Sequence, residues 1–202
     1  MTKHALLSAS GAHRWMNCTP SARLEEEFKD TSGQAAAEGT AAHALAEYKL
    51  KKALNIKSRK PTSKFDSGEM DEYTDGYVQF VLEQIAIAKE FCSDPAVLIE
   101  QRLDFSQYVP DGFGTGDCVI VSDQLLHIID FKYGQGVLVS AEDNPQMKLY
   151  ALGALEIFDG IYNISEVSMT VYQPRRENVS TCTMSKEDLL EWADGVLRPT
   201  AK

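Results

Sequence analysis

The sequence predicts an α/β fold in which a central mixed β-sheet is flanked by helices. Residues 21–91 carry apolar residues at helical spacing, whereas residues 97–133 form short runs rich in β-branched and apolar side chains. A helical segment, two further strand-like runs and a closing helix follow after residue 144. This order of helices, strands, helix, strands and helix is typical of a sheet covered by helices.

The first half of the chain predicts helices. Ser21–Lys29 is short and charged, Gln34–Leu54 is rich in alanine, and Glu69–Phe91 has apolar residues at helical spacing. Residues 55–67 are polar and contain Pro61. We expect them to form an exposed loop whose cations are either solvated or in contact with a polyanion. These cations are Lys57, Arg59, Lys60 and Lys64.

The second half predicts strands on both sides of a helix. Asn144 suits an N-cap and Pro145 a first helical position, so a helix is expected to run to about Phe158. The closing helix is predicted at Lys186–Val196. Strands are predicted at Val97–Leu103, Gly116–Val121, Leu125–Tyr133, Val167–Gln173 and Ser180–Met184.

Length and composition indicate one domain. The 202 residues, 44% hydrophobic and 25% charged, can bury one core, with a helical part at about 1–93 and a sheet-containing part at about 94–202. No apolar run approaches the roughly 20 residues that span a bilayer, and residues 1–4 lead into no signal-like segment. We therefore expect a cytoplasmic protein with no membrane partner. The formal charge of −10 argues against loose adsorption to nucleic acid, although a carboxylate-lined metal site is itself acidic.

A predicted hairpin brings two carboxylates together. If Asp123 and Gln124 form a two-residue turn, Asp117 faces Asp130 and their Cβ atoms lie roughly 4.5–5.5 Å apart. Lys132 shares that face. A register slip of one residue would separate the two acids, and Asp123-Gln124 is a weaker turn pattern than Asn-Gly. The alternative is a surface ion pair of Asp130 with Lys132, with Asp117 in a Gly-Asp turn.

Apolar neighbours indicate that this hairpin is buried, and buried like charges are destabilising unless a cation lies between them. Two carboxylates and water suit Mg²⁺ or Mn²⁺, which retain open positions for phosphate oxygens. Lys132 would then orient a water molecule or stabilise developing charge.

Four blocks, in order along the chain, resemble the PD-(D/E)xK nuclease superfamily, in particular its RecB-like exonuclease branch and a phage-encoded relative. The resemblance covers about residues 10–155 and implies a restriction-endonuclease-like core. The blocks are Gly39 with His43, Gly116-Asp117, Asp130-Phe131-Lys132, and Gln146 with Tyr150.

The resemblance also implies roles for individual residues. The metal ligands would be His43, Asp117, Asp130 and the Phe131 carbonyl, and Lys132 would be the catalytic lysine. Glu38 would be a supporting acid, while Gln146 and Tyr150 would contact substrate or brace the site. Each also has a structural interpretation: His43 as a packed helical residue, Glu38 and Gln146 as polar residues near helix starts, and Tyr150 as part of the core.

The segment Arg14–Cys18 resembles the RecB-like subset that binds a 4Fe-4S cluster through one early and three late cysteines. Only Cys92, Cys118 and Cys182 accompany Cys18, and none follows Cys182. This chain therefore cannot supply the remaining ligands. Either the natural protein continues past Lys202, which we favour, or it has no cluster.

Three functions remain open. The first is a Mg²⁺- or Mn²⁺-dependent DNA exonuclease in a bacterial or phage-infected cell. The second is a catalytically inactive nuclease-fold protein that binds DNA or a partner in phage recombination. The third is an unrelated α/β protein whose acids are structural. The sequence predicts neither the oligomeric state nor the polarity and strand preference of cleavage.

Overall fold

The computed structural model describes residues 5–28 and 33–202. The helices are α1 (Ala12–Asn17), α2 (Ser21–Glu25), α3 (Gln34–Ala53), α4 (Gly68–Phe91), α5 (Pro145–Phe158), α6 (Lys186–Trp192) and α7 (Arg198–Thr200). The strands are β1 (Ala96–Asp104), β2 (Phe113–Val121), β3 (Gln124–Phe131), β4 (Ile164–Gln173) and β5 (Asn178–Ser185). Lys29, the predicted end of the first helix, lies outside the described residues.

The strands form one five-stranded sheet in the order β1-β2-β3-β4-β5. The β3–β4 pair is parallel and the other three pairs are antiparallel. Helix α5 provides the crossover between the parallel strands, as a parallel connection requires. The predicted mixed sheet flanked by helices is confirmed.

Alternating side chains of the central strands serve two cores. Cys118, Ile120 and Ile129 pack with α3 and α4, whereas Val119 and Ile128 pack with α5. Burial on both faces explains why these strands are nearly continuously apolar in sequence. The polar residues at the end of this apolar hairpin therefore lie between two covering layers.

The predicted hairpin register is confirmed. Ser122 and Leu125 exchange main-chain hydrogen bonds of 2.9 and 3.3 Å across the two-residue turn, and pairing continues to Cys118 opposite Ile129. Gln124 adopts a left-handed φ of 74°, which closes the turn without glycine. The next step of this register sets Asp117 against Asp130, where the ladder of main-chain hydrogen bonds ends.

Two predictions at the ends of the chain were incomplete. The closing helix leaves α-geometry at Trp192, and Ala193–Leu197 forms a π-helical turn before α7. The short helix α1 was not predicted. Within residues 5–28 and 33–202, every helix is too short or too polar to cross a lipid bilayer.

Candidate active site

Asp117 lies where strands β2 and β3 separate. Its Oδ2 atom accepts a 2.7 Å hydrogen bond from the main-chain N–H of Phe131, and its Oδ1 atom lies 3.2 Å from Nδ1 of His43 on α3. The side chain thus replaces a main-chain partner of β3, which explains why the ladder stops one pair early. One carboxylate links the hairpin to the helix that covers it.

Asp130 and Lys132 form an ion pair beside this gap, in which the aspartate is buried and the lysine half-buried. Nζ of Lys132 lies 2.9 Å from Oδ2 of Asp130 and 3.3 Å from Oδ1. The Asp130 side chain is only 5% exposed, and its Oδ2 atom accepts no well-directed hydrogen bond from the described residues. A buried carboxylate oxygen with this unused capacity is costly unless another group binds it.

The pKa shifts of Asp130 and Lys132 indicate which of the two residues carries a proton. Burial raises the pKa of Asp130, and Asp117 raises it further against the opposing effect of Lys132. Burial alone would lower the pKa of Lys132, but the two carboxylates outweigh it and the net shift is upward. Lys132 is therefore a protonated donor at neutral pH.

Helix α5 places Gln146 and Tyr150 beside the Asp130–Lys132 pair. The Asn144 side chain caps α5 by accepting from the main-chain N–H groups of Gln146 and Met147. The Gln146 amide donates to Asp130 Oδ1 at 3.3 Å and to Tyr150 Oη at 3.1 Å, and its oxygen lies 3.4 Å from Lys132 Nζ. The cap thus fixes the turn that holds the Asp130–Lys132 pair.

Glu100 on β1 also lies at this end of the sheet, although no sequence pattern predicted it. The β1–β2 register pairs Ile99 with Cys118 and Gln101 with Gly116, which sets Glu100 opposite Asp117. Glu100 has a left-handed φ of 53°, a strained conformation for this residue type. Burial, followed by the charge of Asp117, raises the pKa of Glu100 to about 7.

His43, Glu100 and Asp117 form a cluster of metal-ligating side chains. Each offers a ligand atom within 4.8 Å of the others. The three residues, with Phe131, line a cavity of about 10 Å³, which approaches the size of one water molecule. Burial lowers the pKa of His43, but the charge and hydrogen bond of Asp117 outweigh that effect and the net shift is upward.

This donor set fits a hard divalent cation. Two of its three residues offer carboxylate oxygens, which are hard ligands, and the third offers the imidazole nitrogen of His43. The predicted ligand Asp130 is not one of these three residues, and its Oδ2 atom lies 2.9 Å from Lys132 Nζ. Burial of several acids together is explained most simply by a cation that neutralises them.

Besides Asp130, two predicted residues lie apart from this donor set. Glu38 lies on α3, as His43 does, but its carboxylate lies 3.2 Å from Arg175, which also approaches Glu69 at 3.6 Å. Cys18 is exposed and free at the end of α1. Among the described residues, the cluster of possible metal ligands contains no cysteine, so these residues do not fit an iron–sulfur cluster.

A family model described as "Protein of unknown function (DUF2800)" matches residues 4–202. A crystal structure from Eubacterium rectale, provisionally described as an exonuclease, is 12% identical, with 96% of this chain and 77% of that chain covered and a TM-score of 0.45. The structure of SSO0001 is 13% identical, with 75% and 84% covered and a TM-score of 0.28. Both likenesses are too distant to bear on activity, so the chemistry must follow from the geometry of the site.

Proposed function

We propose that this chain, which belongs to the DUF2800 family, is a divalent-metal-dependent DNA nuclease of the PD-(D/E)xK superfamily and its RecB-like branch. The observation that carries the proposal is the opening of the β2–β3 ladder between Asp117 and Asp130, with Lys132 paired to the buried acid. The acids that meet there destabilise the metal-free protein, and Lys132 adds a hydrogen-bond donor for phosphate oxygens. Exonucleolytic cleavage of DNA is the form of this activity that we propose.

His43, Asp117, Asp130 and the Phe131 carbonyl would hold the Mg²⁺ or Mn²⁺ ion, with Glu100 beside them. A bound divalent ion supplies charge that polarises the scissile phosphate and lowers the pKa of a water molecule. The surrounding apolar core strengthens each electrostatic interaction by excluding water.

The side chains around the proposed metal site would have different roles. Asp130 and Asp117 raise the pKa of Lys132, so as a cation it can donate to a phosphate oxygen or a water molecule. Gln146 contacts both Asp130 and Lys132, so it orients the pair, and Tyr150 fixes the rotamer of Gln146. Gln146 and Tyr150 are positioning residues in this arrangement.

A catalytically inactive nuclease-fold protein that binds DNA or a phage recombination partner is the second candidate. The formal charge of −10 favours the partner-binding form of this candidate, because non-specific affinity for DNA comes mainly from basic surface. This candidate predicts binding without metal-dependent cleavage.

The test is degradation of linear DNA by the purified chain with Mg²⁺, Mn²⁺ or EDTA. We expect cleavage only with metal, and a loss of about 100-fold or more in Lys132→Ala, as is typical when a transition-state donor is removed. Lys89→Ala, which changes an exposed lysine on α4, is the matched control and should cleave normally. Equal rates for wild type and Lys132→Ala would refute the catalytic assignment, and circular DNA of the same sequence should resist an exonuclease.

A further inference from the structure

The hydroxyl group of Tyr77 on α4 is buried without a partner among the described residues. Tyr77 is only 2% exposed, and its Oη atom forms no hydrogen bond with any of those residues. A buried hydroxyl that makes no hydrogen bond is destabilising, and phenylalanine would fill the same space without this cost. The hydroxyl is therefore best explained by a partner other than these residues, and ordered water is the usual one.

Aromatic packing fixes the position of this hydroxyl. The centroid of the Tyr77 ring lies 4.9 Å from that of Phe131 and 5.8 Å from that of Tyr172. All three rings belong to, or pack against, the apolar core that α3 and α4 form with the sheet. A ring that is closely packed in this way keeps one rotamer, and a flip about its own axis does not move Oη. Packing alone thus holds the hydroxyl at one place.

The hydroxyl end of the ring faces the candidate metal site. Tyr77 lines the cavity of about 10 Å³ that His43, Glu100 and Asp117 also line. Burial, the nearby Cys118 and the charge of Asp117 all raise the pKa of Tyr77, so the hydroxyl stays protonated and can donate a hydrogen bond. An effect of Asp117 on this pKa requires that its carboxylate lie near Oη. Tyr77 is thus a hydrogen-bond donor beside the cluster of metal-ligating side chains.

The cavity can hold one water molecule that links these groups. Its volume approaches that of one water molecule, and buried water typically makes about three hydrogen bonds. A water molecule that accepts from Tyr77 can donate its two protons to two carboxylates. Asp117 and Glu100 both line the cavity, and Asp117 has lone pairs beyond those that the Phe131 N–H and His43 use. One water molecule would therefore satisfy the hydroxyl and both acids at the same time.

We propose that Tyr77 is a positioning residue that, through a water molecule in this cavity, orients the carboxylates of Asp117 and Glu100 for a divalent ion. The inference rests on the proposed function, in which Asp117 binds the ion with Glu100 beside it. Groups that hydrogen-bond to ligating carboxylates fix their orientation, and loss of such a group typically lowers metal affinity about 10- to 100-fold. Helix α4 thereby takes part in the site, although no sequence pattern predicted it there.

The test is Tyr77→Phe, which removes the hydroxyl and keeps the ring. We expect the Mn²⁺ affinity measured by calorimetry to fall about 10-fold. In EDTA the melting temperature should fall by about 2–4 °C, because the water molecule that separates the two carboxylates is held less tightly. Tyr133→Phe is the matched control, since Tyr133 Oη is also buried without a partner among the described residues but does not line the cavity. This control should keep the Mn²⁺ affinity of the wild type, and an equal loss in both variants would overturn the inference.

A double-mutant cycle separates positioning from packing. If Tyr77 acts through Glu100, Tyr77→Phe should lower the Mn²⁺ affinity by a smaller factor in the Glu100→Gln background than in the wild type. A ring that only supports the fold would give the same fold-change in both backgrounds, and that result would contradict the positioning role.

The remaining outcomes separate this inference from the nuclease assignment. A higher melting temperature of Tyr77→Phe in EDTA would mean that the hydroxyl has no partner, and an unchanged Mn²⁺ affinity would mean that it does not orient the ligands. Either result overturns the inference and leaves metal-dependent cleavage intact. If the wild type binds no Mn²⁺ while Tyr77→Phe still melts at a lower temperature, the proposed function fails together with the role towards the ion, whereas the water link stands.

Discussion

At the scale of single residues, Asp117 joins three elements through one carboxylate. It contacts His43 on α3 and the Phe131 N–H on β3, and it lies opposite Glu100 on β1. After burial itself, its charge is among the causes that raise the pKa of both Glu100 and Asp130. A sheet end selected for stability alone would not gather three acids, and local conflicts of this kind are expected at functional sites.

Asp117→Asn should therefore weaken metal binding. The amide keeps the size of the side chain but removes the anionic ligand, and we expect the Mn²⁺ affinity measured by calorimetry to fall about 10- to 100-fold, as when ligand-shell groups are removed. Asp123→Asn in the exposed turn of the same hairpin is the control. An unchanged affinity in Asp117→Asn would favour a purely structural role for the acids.

The variant Glu100→Gln tests whether Glu100 binds the metal ion. In EDTA at pH 8 the variant should be more stable by about 1 kcal/mol, allowing for solvent screening, because it removes a carboxylate crowded by Asp117. With Mn²⁺ the order should reverse if Glu100 binds the ion. Thermal melting with and without metal gives both signs, with Glu90→Gln on exposed α4 surface as control. Stabilisation under both conditions would exclude Glu100 from the metal shell.

The residues of the site differed in how far the sequence could predict them. Asp117 and Asp130 could be paired because the turn between them has only two residues, which fixes the register. Glu100 could not, since the irregular segment 105–112 separates β1 from β2 and specifies no register. Glu38 bonds Arg175, a partner 137 positions away that no local pattern indicates.

At the scale of elements, local chemistry determined what could be predicted. The Asn144-Pro145 start of α5 matched the structure because a side-chain cap and a fixed proline φ act within one turn. The π-helical turn at Ala193–Leu197 was missed because its apolar spacing resembles that of an α-helix. The start of α5 was therefore predictable from its local cap, whereas the π-helical turn has no local sequence pattern that distinguishes it from an α-helix.

Asn144→Ala should lower both the unfolding free energy and the rate of DNA cleavage, whereas loss of a cap elsewhere should lower only the unfolding free energy. Loss of the cap should cost about 1 kcal/mol of unfolding free energy and, because Gln146 occupies the capped turn, should also slow DNA cleavage. Ser67→Ala removes the corresponding cap of α4, where the serine accepts from Met70 N–H, and is the matched control. Denaturant melts should give similar losses for both variants, whereas cleavage rates should fall in Asn144→Ala alone. Similar rates in the two variants would contradict a positioning role for this turn.

Close packing of β2 against α5 gives a second prediction at this scale. A Cβ atom on Gly114 would lie 2.6 Å from Cε1 of Tyr150. Gly114→Ala should therefore displace the ring that holds Gln146, and should destabilise the fold by about 1–3 kcal/mol. Gly160→Ala, which meets no atom within 4 Å, is the control. If melts of the two variants coincide, the ring moves freely and does not brace the site.

At the scale of the whole molecule, the sheet carries the candidate active site at one end. In its middle it contains a buried link of hydrogen-bonded polar side chains. Hydrophobic periodicity predicted the sheet and its covering helices, because it reports which faces are buried. It did not predict the link, in which His127 Nε2 lies 2.8 Å from Thr170 Oγ1 and Thr170 lies 2.8 Å from Thr181 across β3, β4 and β5. In sequence, His127 is one polar residue within an apolar strand.

This link should make stability depend on pH. Burial lowers the pKa of His127 from 6.5 to about 4, so between these values the unfolded chain binds a proton that the native chain does not. The unfolding free energy should therefore fall as the pH drops from about 6.5 to 4, by up to about 3 kcal/mol at 1.36 kcal/mol per pKa unit. Urea melts of wild type and His127→Gln across this range isolate the effect, because the variant lacks the titrating ring but keeps every carboxylate. The fall should be shallower in the variant by this amount, and parallel curves would mean that the ring takes up its proton within the folded sheet.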